Sequence, residues 1–241
     1  MPKLRLTLLL IFGLFGISKA CEGIPRDCVN ELEADAIEFN GLPNEEELRR
    51  MCPVIMDLFE CLRQKFLKCL GTTPEEAAHS TDDPEIAVIA EFFLNVEAFV
   101  KEMCNEESNL HKSYVRTQPC TSEYFDDPKM ECKREAEAAY VAYRHLTEFL
   151  PAEGEEVDKN AMCLTEAYAF ACIAHDLQMK CNEEARNVFT GIFQRLNPLK
   201  VICSVSSVDE LKTHFLKSLD MEPERKDVFS LAFNVLRKRR K

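Results

Sequence analysis

The chain reads as an all-α fold, stapled by disulfides and built from two similar halves. Three observations carry this reading. Apolar residues recur every three or four positions through most of the chain, the spacing of one helix face. Strand signals are poor, because residues 21–241 hold five glycines and no β-branched run that alternates with polar residues. Val201-Ile202-Cys203-Ser204-Val205 is the one strand-like stretch, and it is short. Finally, six of the 12 cysteines form two matching runs. Cys52, Cys61 and Cys69 make the first, and Cys163, Cys172 and Cys181 the second; each opens on Met-Cys and closes on Lys-Cys.

The N-terminus reads as a secretory signal over residues 1–20. Lys3 and Arg5 precede an apolar stretch from Leu6 to Ile17, and Ser18-Lys19-Ala20 places small residues where a signal peptidase reads. The apolar stretch is too short to span a bilayer and no second one follows, so no membrane span is expected. Cleavage after Ala20 leaves a secreted chain of 221 residues that starts at Cys21 and keeps all 12 cysteines. An even cysteine count in an oxidising compartment implies up to six bridges. Lys3, Arg5 and Lys19 leave with the signal, which takes the net charge from −12 to −15. A globule this acidic does not bind nucleic acid or anionic membrane through its general surface. No Asn-X-Ser/Thr sequon occurs, so N-glycosylation is not expected.

The helices follow in order. Leu48, Cys52, Ile55, Phe59, Leu62, Phe66 and Cys69 share one face, opened by Asn44 and Glu47 as a capping box. Pro53 should kink the first turns. Asp83-Pro84 starts a second helix carrying Ile86, Ile89, Phe93, Val96, Val100 and Met103. Asp127-Pro128 repeats the device ahead of Cys132, Ala136, Ala139, Tyr143, Leu146 and Leu150. Cys163, Phe170, Ile173, Leu177 and Cys181 make the next stripe. Asn182 opens a helix that Asn197-Pro198 ends, and Ser207 with Glu210 opens another holding Leu211, Phe215 and Leu219. Val228, Phe229, Ala232, Phe233, Val235 and Leu236 predict a final amphipathic helix, closed by Arg237-Lys238-Arg239-Arg240-Lys241. Gly71 to Pro74, His79 to Asp83, Gln118 to Asp127 and Pro151 to Asp158 read as loops. None of them is a domain linker. The expectation is one compact two-lobed domain over 21–220, with pseudo-repeats at about 21–120 and 128–205, then the C-terminal helix and basic tail over 221–241.

Geometry restricts the bridges. Nine residues of helix rise roughly 13 Å, and a disulfide needs Cα atoms within about 7 Å. Cysteines of one run therefore cannot pair with each other and must bond outward. If consecutive helices fold back antiparallel, helix length alone sets Cys104 level with Cys52, Cys203 level with Cys163 and Cys132 near Cys172. By analogy, Cys28 then meets Cys61. With Cys21, Cys69, Cys120 and Cys181 also present, sequence leaves the connectivity open.

The cadence Leu48-Arg-Arg-Met-Cys52, Phe59-Glu-Cys61-Leu and Leu67-Lys-Cys69-Leu resembles secreted, cysteine-rich, all-helical proteins of invertebrates. Two groups are similar, the insect 27 kDa hemolymph glycoprotein family and a secreted domain family of unknown function expanded in nematodes. Phe99-Val-Lys-Glu-Met-Cys104, Met130-Glu-Cys132, Met162-Cys163, Cys172, Lys180-Cys181 and Cys203 keep the same order, so the resemblance covers about Cys28 to Cys203. The chain departs from a glycoprotein pattern in lacking sequons. The resemblance implies a secreted helical protein and carries over no catalytic residue and no cofactor.

Few constellations point to chemistry. Cys172-Ile-Ala-His175-Asp176 resembles the Cys-x-x-His-Asp helix of secreted phospholipases A2, in which the His is a general base and the Asp a calcium ligand. Ala171 replaces that family's second cysteine, and no Gly-rich calcium loop lies upstream. His79, His111, His145 and His214 fall in no zinc-ligand spacing, and no Gly-x-Ser-x-Gly elbow exists. Phe92, Phe93, Phe99, Phe189, Phe193, Tyr140 and Tyr143 fit either an apolar pocket or an ordinary core. The 237–241 run suits a helix C-terminus, an extracellular polyanion or a dibasic processing site. The expected function is that of a secreted, non-catalytic protein with a binding or structural role. The alternatives are a carrier of apolar small molecules and, more distantly, a phospholipase A2-like hydrolase.

Overall fold

The computed structural model describes Cys28 and residues 41–80, 84–127, 131–147, 159–203, 214–219, 221 and 223–234. Every regular element among them is helical. The chain separates into two compact units, Met1–Asp126 and Asp127–Lys241. The signal segment, Cys21 and the 237–241 run lie outside the described residues.

In the first unit, α1 (Glu45–Leu70) begins as the sequence predicts. Asn44 Oδ1 accepts from the Glu47 amide at 3.0 Å, and Glu47 returns the bond to the Asn44 amide at 2.8 Å. Pro53 lies inside this helix without ending it. Gly71 ends it with φ +69°, the left-handed turn that glycine adopts most cheaply. Thr73 and Glu76 form a second capping box for α2 (Pro74–His79). Thus Pro74 opens a helix and His79 closes it, where the sequence suggested loops on both sides. α3 (Pro84–Cys104) packs against α1 and α2. Leu58, Phe59 and Leu62 of α1 and Phe92, Phe93 and Val96 of α3 are buried, with Phe93 edge-on to Phe59 at 5.5 Å.

α4 (Asn109–Asp126) corrects a further expectation, because Gln118 to Asp126 is helix rather than loop. Its start is set by Ser108, whose Oγ accepts from the His111 amide at 2.9 Å. Its polar surface hides a narrow buried face of Leu110, Tyr114, Thr117 and Tyr124. Tyr114 donates to the Pro43 carbonyl and Gln118 to the Leu42 carbonyl, so α4 holds the chain entering α1.

The second unit is arranged around α6 (Lys159–Lys180), which packs against α5 (Cys132–Thr147), α7 (Glu183–Leu196), α8 (Leu199–Ile202) and α10 (Pro223–Asn234). Ala167, Ala171 and Ala174 of α6 are fully buried, and small side chains allow neighbouring helices to come close. The strand-like Val201-Ile202 instead ends α8. A single turn, α9 (Leu216–Ser218), follows Phe215, which is fully buried and edge-on to Tyr143.

Four bridges are described, two in each unit. Cys28 pairs with Cys61 and Cys52 with Cys104 in the first; Cys132 pairs with Cys172 and Cys163 with Cys203 in the second. Three of these are the pairings that antiparallel helix lengths suggested, and Cys28–Cys61 is the one drawn by analogy. In both units the bridges interlace in the same order along the chain, which gives the two halves a common covalent scaffold. Cys69, Cys120 and Cys181 are disulfide-bonded as well.

Candidate functional site around the Cys132 to Cys172 bridge

Three helices of the second unit converge on one bridge. α5 contributes Cys132 and, one turn on, Glu135. α6 contributes Tyr168, Cys172, His175 and Asp176, which helical spacing sets on one side. α10 contributes Arg225 and, one turn on, Phe229. Both sulfurs are almost completely buried. A carboxylate sits beside each of them, with Glu135 Oε2 3.8 Å from Cys172 Sγ and Asp176 Oδ2 3.6 Å from Cys132 Sγ.

Arg225 closes the site from above. Its Nη2 donates to Glu135 Oε2 at 2.6 Å and to Cys172 Sγ at 3.3 Å. Its guanidinium lies 5.7 Å from the Phe229 ring centroid, within cation–π range. Burial works against its charge, but the bond it donates to Glu135, together with the nearby Tyr168, Glu135 and Asp176, outweighs burial and holds the guanidinium ionised. Phe229 is fully buried edge-on against Tyr168 at 4.9 Å. Burial pushes the Tyr168 hydroxyl above its ordinary range, so at neutral pH it is a donor, placed 3.4 Å from Glu135 Oε2.

This geometry decides what the Cys-x-x-His-Asp resemblance can do. His175 Nδ1 lies 3.8 Å from Asp176 Oδ1, beyond hydrogen-bond range, and is buried without a hydrogen-bond partner. Asp176 turns its other oxygen to the bridge. Cys132, Cys172 and Asp176 have the mutual spacing of a metal-ligand set. The two sulfurs are bonded to each other, however, and no thiolate is left to ligate. The Arg225 charge against Cys172 Sγ opposes a second cation.

The other candidate residues disperse. His79, His145 and His214 are exposed, and His111 is buried with Nδ1 2.6 Å from the Met103 carbonyl, at the end of α3. Phe92, Phe93 and Phe99 belong to the first unit, and Tyr140, Tyr143, Phe189 and Phe193 to the second. Phe170, absent from the aromatic candidates, stacks on both Phe189 and Phe193. Arg225 and Glu135 were also absent from them. The available signal was spacing, Cys132-x-x-Glu135 on one helix and Arg225-x-x-x-Phe229 on another. No family model matches the chain, and no curated protein and no solved structure does either.

Proposed function

We propose that the protein is a secreted, non-catalytic extracellular protein with a binding or structural role in a body fluid or secretion, the kind of protein its resemblance to hemolymph-type families implies. The observation that carries this reading is the environment of the Cys132–Cys172 bridge. In the one helix resembling a catalytic element, His175 Nδ1 lies 3.8 Å from Asp176, beyond hydrogen-bond range, and Asp176 turns its other oxygen to the disulfide. Bridges in both units suit an oxidising compartment. No helix among the described residues is long and apolar enough to cross a membrane.

The aromatic residues considered for an apolar pocket support the same reading. Phe93 packs on Phe59 and Phe66, Tyr143 on Phe215, and Phe189 and Phe193 on Phe170. Rings that satisfy one another in this way fill cores.

The test uses the full-length protein with calcium and phospholipid vesicles, together with an organic extract of the purified material. No hydrolysis and no stoichiometric lipid are expected. Calcium-dependent hydrolysis that disappears in His175→Ala overturns the non-catalytic reading. Stoichiometric lipid in the extract replaces it with that of an apolar carrier.

A further inference from the structure

The Cys132–Cys172 bridge is covered by α10, a helix that follows every cysteine of the chain. All 12 cysteines lie at or before Cys203, so α10 is held to α6 by packing and hydrogen bonds alone. Val228 and Phe229 supply the apolar part of that hold and Arg225 the polar part. Arg225 is also the group that touches a sulfur of the bridge. We propose that α10 is a detachable guard, and that the Cys132–Cys172 bridge exchanges with small thiols only while α10 is lifted.

Thiol–disulfide exchange requires a thiolate to reach a sulfur. Cys132 and Cys172 are 1 % exposed, and two of the surrounding helices, α5 and α6, carry the bridge itself. Those two helices cannot part without breaking it. α10 can leave without breaking any covalent bond. Local openings of this kind, below the cost of global unfolding, are common in terminal elements. Once α10 lifts, the incoming thiolate attacks one sulfur to form a mixed disulfide and expels the other as a thiolate, which takes a proton. A second thiol then attacks the mixed disulfide, leaves as the small-molecule disulfide, and the released protein sulfur is protonated. Glu135 and Asp176, 3.8 and 3.6 Å from the sulfurs, are in place to accept from the two new S–H groups. The site therefore accommodates the dithiol as well as the bridge.

The first unit supplies an internal control. Cys52 and Cys104 are each only partly buried, and their bridge belongs to the first unit, whereas α10 belongs to the second. The experiment treats full-length protein with dithiothreitol at low concentration, alkylates at intervals and maps each pair by mass spectrometry. In Arg225→Glu, which sets a like charge against Glu135, and in Phe229→Ala, Cys132–Cys172 should open at least tenfold faster than in the native chain, with Cys52–Cys104 unchanged. An unchanged Cys132–Cys172 rate, or equal acceleration of both bridges, overturns the proposal. Amide hydrogen exchange on the native protein needs no variant. Residues 223–234 should exchange faster than α5 and α6, and protection of α10 equal to theirs overturns the guard equally.

Discussion

Arg63 and Glu97 form a two-point ion pair between α1 and α3 of the first unit, with Arg63 Nε 3.0 and 3.1 Å from the two Glu97 oxygens. The Glu97 side chain is 6 % exposed. Lys101 reaches the same carboxylate at 2.8 Å, and Glu75 takes the outer edge of Arg63 at 2.8 Å. The Arg63 guanidinium also lies over the Phe93 ring. A buried carboxylate is thereby made tolerable by two cations, a geometry in which removing one partner costs more than the pair is worth.

The pair predicts a pH dependence. Burial alone would raise the Glu97 carboxyl, but Arg63 and Lys101 hold it below its ordinary value of 4.5. A depressed carboxylate contributes stability that is fully present above its unfolded value and is lost as pH falls through the folded one. Glu97→Gln should lower stability at pH 7 by about 2 kcal/mol and flatten the acid side of the profile. Urea unfolding at neutral pH and near pH 3 checks this. Equal losses on acidification in native and variant chains would refute it.

The left-handed helix ends predict opposite responses to substitution. Gly71 has open space around it, so Gly71→Ala should cost about 1 kcal/mol through backbone strain alone. Asn197 ends α7 at φ +48°. Asn197→Gly should therefore be neutral or stabilising by a few tenths of a kcal/mol. Thermal midpoints of the two variants, measured side by side, give the comparison.

Thiol counting tests the staple picture. Titration in denaturant should find none of the 12 cysteines free, Cys21 included. Replacing Cys52 and Cys104 together by Ser should cost about 2–4 kcal/mol. Two or more reactive thiols in the native chain would contradict a fully bridged protein.

The basic run at 237–241 is tested by heparin retention. If it is a polyanion site, retention should fall steeply with salt, because released counterions drive such contacts. Deleting the five residues should then abolish it while the circular dichroism spectrum stays helical. Negligible, salt-insensitive retention of both forms instead identifies an ordinary charged helix end.

Legibility in the sequence followed the range of the interaction. Asn44 with Glu47 lies within one turn and was readable; Thr73 with Glu76 carries the same local signal but opens a helix of only six residues. α4 was missed because Pro119 and a polar surface masked its narrow apolar face, although Ser108 sits where a cap belongs. Three of the bridges could be suggested because an antiparallel pair converts helix length into register. Arg225 was not, because its approach to Glu135, 90 residues away, depends on how α10 docks, and neither periodicity nor capping specifies that.

The interlaced bridges also change what a protease can accomplish. The loops 28–61 and 52–104 overlap, as do 132–172 and 163–203. Any single peptide bond broken between Cys28 and Cys104, or between Cys132 and Cys203, lies inside at least one closed ring. A chain nicked there gains only one water in mass, and its fragments separate on a gel only after reduction. A first cut within either span would therefore release nothing.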